Sequence, residues 1–415
     1  MLKFEKHTLK NGLTVIVNYD SSTPLVAMNI LYKVGARNED ENKTGFAHLF
    51  EHLMFGGSVN IPSYDEPLQR AGGENNAFTN NDFTNYYLTL PAQNIETAFW
   101  LESDRMLSLA FSEKSLDVQR HVVVEEFKQR YLNQPYGDVW LNLRPLAYKV
   151  HPYRWATIGK EISHIEQATM NDVKDFFATW YRPDNAILTL SGNIQPETAF
   201  TLSEKWFGEI VSRPLKNKII PQEPPQTEKR ILGLQRDVPA NTIYKAFHAC
   251  SRFDDDFHAT ELLADVLTGS KSARLYYKLV KQDKIFNALS TYFTGDLDKG
   301  LFIIDGRLEE KISFQTAEKA LDAELAKITS ELISEKELTI VQQKTESALV
   351  FSEMNIANRA LNLAYFEMIG GAELINKQIE SYRSVTREKI LSVAKNIFRQ
   401  ENESVLYYKT KEEKK

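Results

Sequence analysis

The stretch "TGFAHLFEHLMFGG", residues 44–57, sets two histidines and a glutamate into an otherwise apolar run. Its apolar positions recur with a helical period, and Gly56-Gly57 supplies a C-terminal stop. In a helix His48 and His52, four residues apart, lie one above the other on a single face, so both rings can reach one metal ion. Glu51 falls on a neighbouring line, near enough to meet a water at that metal without ligating it. A lone histidine in such a helix is ordinarily a core residue bonded to backbone. Three polar side chains sharing one apolar helix need more partners than that, because each is costly to bury unsatisfied. A divalent cation satisfies them together. Two nitrogens and one carboxylate oxygen, with water in the fourth place, form the donor set of a catalytic zinc ion, Zn2+.

The third protein ligand must then come from another element. "VQRHVVVEEFKQR", residues 118–130, offers Glu125 and Glu126 beside a valine run. Adjacent helical residues point about 100° apart, so one of the two faces the metal. Glu126 shares a face with Val122 and Val123, which favours it and leaves Glu125 to solvent.

Outward from the histidine helix the chain alternates strands and helices. "FEKHTL" and "LTVIVNYD" flank an Asn11-Gly12 reversal and predict a hairpin, and "LVAMNILYKVGA" predicts a third strand. "NAFTNNDFTNYYLTL" reads as a strand pair, rich in Thr, Phe and Tyr. Residues 95–110, 115–132 and 171–181 carry helical periodicity, and "AILTLSG" is a short buried strand. Four prolines between 212 and 230 describe an extended linker. After it come a strand at 241–249, helices at 256–267 and 272–282, a strand at 287–295, two helical runs and a last strand, "SVLYYK". The expectation is an α+β protein of two similar domains, 1–211 and 231–415, each a mostly antiparallel sheet packed with helices. The metal motif lies in the first domain alone.

At 415 residues the chain is too long for one ordinary core. Its 42% hydrophobic and 26% charged residues describe a globular protein. The net charge of −6, with Lys and Arg scattered, leaves no basic footprint for nucleic acid. No run of 18 apolar residues predicts a membrane span. One cysteine, Cys250, excludes an internal disulfide and reads as an inert buried thiol. No secretory signal is visible at the N-terminus, so a cytoplasmic location is expected, or a periplasmic one if a leader was removed. The "KTKEEKK" end reads as a solvated tail.

"HLFEH" followed some 70 residues later by "VVVEEF" resembles the inverzincin metallopeptidases, the family of pitrilysin and the mitochondrial processing peptidase. "KTGFAHLFEHLMFGGS", "GGENNAFTNNDFTNYY", "HPYRWATIG" and "YRPDNAILTLSGNI" carry the resemblance through the first half, and "GSKSARLYYKL" carries it more weakly into the second. The resemblance implies zinc bound by His48, His52 and Glu126, with Glu51 as general base for hydrolysis of a peptide bond. It also implies that Asn76, Ala77, Phe78 and Thr79 form an edge strand that pairs with substrate backbone.

Two positions depart from the family pattern. Gln119 stands where a second glutamate is usual, seven residues before the ligand. Val280 and Asn287 stand where the family carries an arginine and a tyrosine that hold substrate. Arg274 matches a structural arginine instead, and Tyr276, Tyr277 and Tyr292 are expected to pack. The resemblance therefore implies a heterodimer in which a related subunit supplies the Arg/Tyr pair, or a homodimer with a different clamp. A non-catalytic scaffold or processing partner is the alternative; such members typically lack the histidine motif that is intact here.

Overall fold

The computed structural model describes residues 1–212 and 219–411. The chain forms two compact units: residues 1–128, 155–220 and 350–377, and residues 129–154, 221–349 and 378–415. Their strands are β1 (Glu5–Thr8), β2 (Thr14–Tyr19), β3 (Leu25–Tyr32), β4 (Glu74–Thr79), β5 (Thr84–Pro91) and β6 (Ala186–Gly192) in the first unit. The second unit holds β7 (Arg230–Arg236), β8 (Thr242–His248), β9 (Phe286–Phe293), β10 (Leu301–Leu308) and β11 (Glu403–Thr410). The helices framing them are α1 (Phe46–Leu53), α2 (Ile95–Leu107), α3 (Glu113–Phe127), α4 (Val139–Ala147), α5 (Phe257–Thr268), α6 (Phe314–Ser330), α7 (Ile356–Ile369) and α8 (Arg387–Ile397).

The first sheet runs β1-β2-β6-β3-β5-β4. Only β2 and β6 pair in parallel; the rest is antiparallel. The hairpin at the N-terminus forms as the sequence predicts, with Gly12 at φ +92° making the reversal that a side chain would strain. One face of this sheet packs on α7, whose Leu363, Ala364 and Phe366 meet Ile16, Leu31 and Ile187. The other face carries α1, through Tyr86 of β5 beneath Phe50. β4 lies at the sheet edge, so one of its two rows of backbone groups is not paired with a strand of this sheet.

The second sheet runs β7-β11-β8-β10-β9, with β7 and β11 its parallel pair. Ile243, Phe247, Ile304 and Val405 bury one face against Leu262 and Leu263 of α5, Leu321 of α6 and Ile390 of α8. Leu143 of α4 packs on the other face with Tyr244, Ile303 and Leu406. The α+β reading with two similar, mostly antiparallel sheets is correct.

Some local expectations shift. β7 and β10 were not among the predicted strands: Gly233 and flanking charges disguise the first, and "DG" interrupts the apolar run of the second. The helix expected to run through residue 132 is α-helical only to Phe127 and continues as a π-helical turn, Lys128–Leu132. The expected linker falls partly on residues 213–218, which lie outside the described residues; from 219 to 229 the chain has no helix or strand. Lys409 and Thr410 of the expected tail belong to β11, and residues 412–415 lie outside the described residues. Cys250 is half-buried rather than fully buried, and its burial pushes the thiol up to about 11, so it stays protonated near neutrality. Among the described residues no helix is long and apolar enough to cross a membrane.

Candidate metal centre

Helix α1 begins where the chain must turn sharply. Gly45 sits at φ +86°, and a Cβ there would lie 2.6 Å from the Ile158 carbonyl oxygen. Glu39, only 2% exposed, turns its carboxylate onto the helix start and accepts from the N–H of Gly45 at 2.9 Å and of Ala47 at 2.8 Å. A buried anion in that place satisfies two orphan donors and opposes the positive end of the helix dipole. Phe46, Ala47, Leu49, Phe50 and Leu53 then bury the helix, which leaves His48, Glu51 and His52 along its half-buried flank. Accessible rims on these side chains replace the full burial that composition suggests, and a site that must admit a reactant needs them.

Helix α3 brings the third group. Glu126 Oε2 lies 3.6 Å from His48 Nε2 and 3.4 Å from His52 Nε2, and the two Nε2 atoms are 3.3 Å apart. Donors around a tetrahedral zinc ion, each roughly 2.0–2.2 Å from it, are spaced about 3.3–3.6 Å from one another. The three side chains therefore hold the triangle that such an ion requires. Two imidazole nitrogens and a carboxylate are also the donors zinc favours. Among the described residues this is the one such cluster of His, Cys, Asp or Glu.

Of Glu125 and Glu126, it is Glu126 whose carboxylate lies beside the two imidazoles, though the face argued from sequence accounts for this only in part. Val123 is buried with Glu126 on the inward side, whereas Val122 is 44% exposed. Glu125 is exposed and pairs with Lys128 at 2.7 Å.

Thr79 was expected to offer backbone to a substrate, yet its side chain enters the site. Its hydroxyl donates to Glu51 Oε2 at 2.7 Å, a link from β4 to α1 that helix periodicity does not contain. Asn76 Oδ1 accepts the N–H of Ala77 at 2.8 Å, so a side chain presently covers a donor of the open strand edge. Phe78 turns to the other face of the sheet and meets Phe83 edge-on.

The second unit holds no gripping pair at the expected positions. Val280 packs against the hydrophobic core, and Asn287 Nδ2 donates to the Leu308 carbonyl at 3.2 Å. Arg274 is structural: its Nη2 reaches Glu337 at 2.9 Å. Of the tyrosines expected to pack, Tyr277 is 50% exposed and Tyr292, 37% exposed, leans on Trp140. Both stand at the solvent side of their elements, where aromatic bulk is tolerated without a core around it.

Residues 14–155 match the family model described as insulinase, peptidase family M16, and residues 167–345 match that of the peptidase M16 inactive domain. The Helicobacter pylori zinc protease PqqE is 30% identical over 344 residues, 81% of this chain and 77% of that protein. The chain belongs to the M16 peptidase family. A crystal structure of a Helicobacter pylori protease superposes on this M16 chain with a TM-score of 0.92 at 26% identity, covering 99% of this chain and 100% of the other. The probable β subunit of the Schizosaccharomyces pombe mitochondrial processing peptidase is 26% identical, covering 75% of this chain and 72% of its own.

Proposed function

We propose that this M16 chain is a zinc-dependent endopeptidase that cuts peptides or unfolded segments, with His48, His52 and Glu126 holding the ion and Glu51 acting as general base. The donor triangle of about zinc dimensions, with Glu51 set beside it on the same helix, carries the reading. A zinc ion held there would supply Lewis acidity, making water a better nucleophile and polarising the peptide carbonyl. Glu51 takes the proton of the attacking water on its carboxylate and returns it to the departing nitrogen. Thr79 fixes the rotation of that carboxylate through its hydroxyl bond. Along β4, a peptide carbonyl replaces the Asn76 amide on the Ala77 N–H, so an extended substrate adds to the sheet as a further strand.

Two measurements test this. Purified protein should carry about one zinc per chain and cleave a quenched fluorescent peptide, and a chelator should abolish both until zinc is restored. Metal-free protein that cleaves nothing after zinc addition would favour a non-catalytic scaffold instead. That second reading draws on the inactive-domain match across residues 167–345 and on Val280 and Asn287. The same two residues support a dimer in which a related subunit completes substrate binding; full activity from the single chain, unchanged by any partner, would count against it.

Thr79→Val should lower kcat about ten- to a hundredfold with zinc content and KM little changed, since one hydrogen bond to a charged group contributes about 1.5–3 kcal/mol. Thr79→Ser, which keeps the hydroxyl, should restore most of it. Equal losses in both variants would show that Thr79 only packs.

A further inference from the structure

A groove of about 660 Å³ lies within the first unit, on the face of the sheet turned away from the metal centre. The pleat of β4 establishes this. Successive side chains of a strand leave opposite faces. Asn75 and Thr79 point to the α1 side, where Asn75 Nδ2 donates to Asp65 at 2.8 Å and Thr79 meets Glu51. Glu74, Asn76 and Phe78 point the other way and line one wall of the groove. The facing walls are the loop from Asp20 to Leu25 and the start of α7, with Met354 74% exposed beside it.

The charges in the groove are unequally committed. Asp20 accepts from Arg359 at 2.7 Å and from the Ser22 hydroxyl at 2.6 Å, bonds that hold its carboxyl down at about 2. Glu74 is exposed and, among the described residues, forms no ion pair or side-chain hydrogen bond. The groove thus presents one uncommitted carboxylate beside the apolar surfaces of Phe78 and Met354.

A peptide added to the open edge of β4 repeats its pleat, so alternate side chains stand over the groove while the intervening ones face the metal. A long basic side chain fits what they would meet: its aliphatic stem lies on the apolar wall and its charged head reaches Glu74. We propose that this groove is a side-chain subsite selecting lysine or arginine in an extended peptide, with Glu74 as the acidic partner. Glu74 precedes Thr79 by five residues, about 17 Å along a strand. The selected residue therefore lies about four to six positions from the bond that is cut. This inference rests on the peptidase reading of the same strand.

The test uses zinc-loaded Glu51→Gln protein and fluorescein-labelled peptides in which a single lysine or glutamate is moved along the chain. Anisotropy should give a Kd about three- to fivefold lower for lysine than for glutamate at one groove-facing register, the range of an exposed ion pair. Glu74→Lys on the same background should invert that ratio, while Glu197→Lys, an equal charge change on the helix Pro196–Phe207, should leave it in place. A ratio unmoved by Glu74→Lys overturns the subsite. Cleavage by the parent protein, assayed separately, keeps the two ideas apart. A Glu74-dependent preference without cleavage removes the peptidase reading and retains the subsite; cleavage without that preference does the reverse.

Discussion

Replacing Glu51 by glutamine is expected to lower kcat by about 10²- to 10⁴-fold, the range that general acid–base catalysis contributes, while zinc stays at one per chain. Glutamine keeps the shape of the side chain and can still receive the Thr79 hydroxyl, which donates to Oε2 in the parent at 2.7 Å. What it loses is the basic oxygen. The proposed metal donors are untouched, because His48, His52 and Glu126 form the triangle without Glu51. Steady-state kinetics with metal analysis on one preparation checks both halves. A variant that keeps its zinc and retains more than about a tenth of parent kcat would show that Glu51 is not the base, since even the low end of that range is a hundredfold.

The parts of this centre legible from sequence are those governed by local periodicity. His48, Glu51 and His52 share one short helix, so a 3.6-residue repeat is enough to place them together. Glu126 was narrowed to a pair by the same rule. The face argument that favours it is right about Val123 and wrong about Val122, because a helix packed on one side buries a narrower stripe than a valine run implies. Thr79 and Glu39 were not legible. Thr79 reaches Glu51 across a strand–helix contact 28 residues apart, and strand propensity describes its backbone while saying nothing of which face its hydroxyl takes. Glu39 lies in an acidic loop that looks solvated, yet is 2% exposed because the Gly45 turn brings the helix start onto it.

At the level of the fold, short strands with turn signals were readable, but the exchange of cover was not. Helix α4 comes from the first half of the sequence and packs in the second unit, while α7 comes from the second half and packs in the first. An amphipathic stripe tells that a helix needs a partner and not which sheet supplies it.

Arg105→Ala should destabilise the protein by about 3–5 kcal/mol, the cost of breaking a buried ion pair from one side. Arg105 and Glu102 are each 2% exposed at the side chain, and the guanidinium donates to both carboxylate oxygens at 2.7 Å. It also lies over the rings of Tyr86 and Tyr64, at 4.4 and 4.5 Å from their centroids. Removing it leaves the Glu102 carboxylate buried without its cation, the Tyr64 hydroxyl at 2.5 Å remaining as its side-chain partner among the described residues. Denaturant unfolding measures the loss. Arg105→Met combined with Glu102→Leu should recover most of it, because an apolar pair of similar volume removes both desolvation penalties. The two variants should nonetheless differ from the parent in zinc affinity. Tyr86 extends from this cluster to the Phe50 carbonyl at 3.4 Å, and Phe50 sits between His48 and His52 on α1. If the double variant regains stability but binds zinc more weakly, the ion pair orients the rings that seat the metal helix; if stability and zinc affinity recover together, filling the space beneath that helix is sufficient.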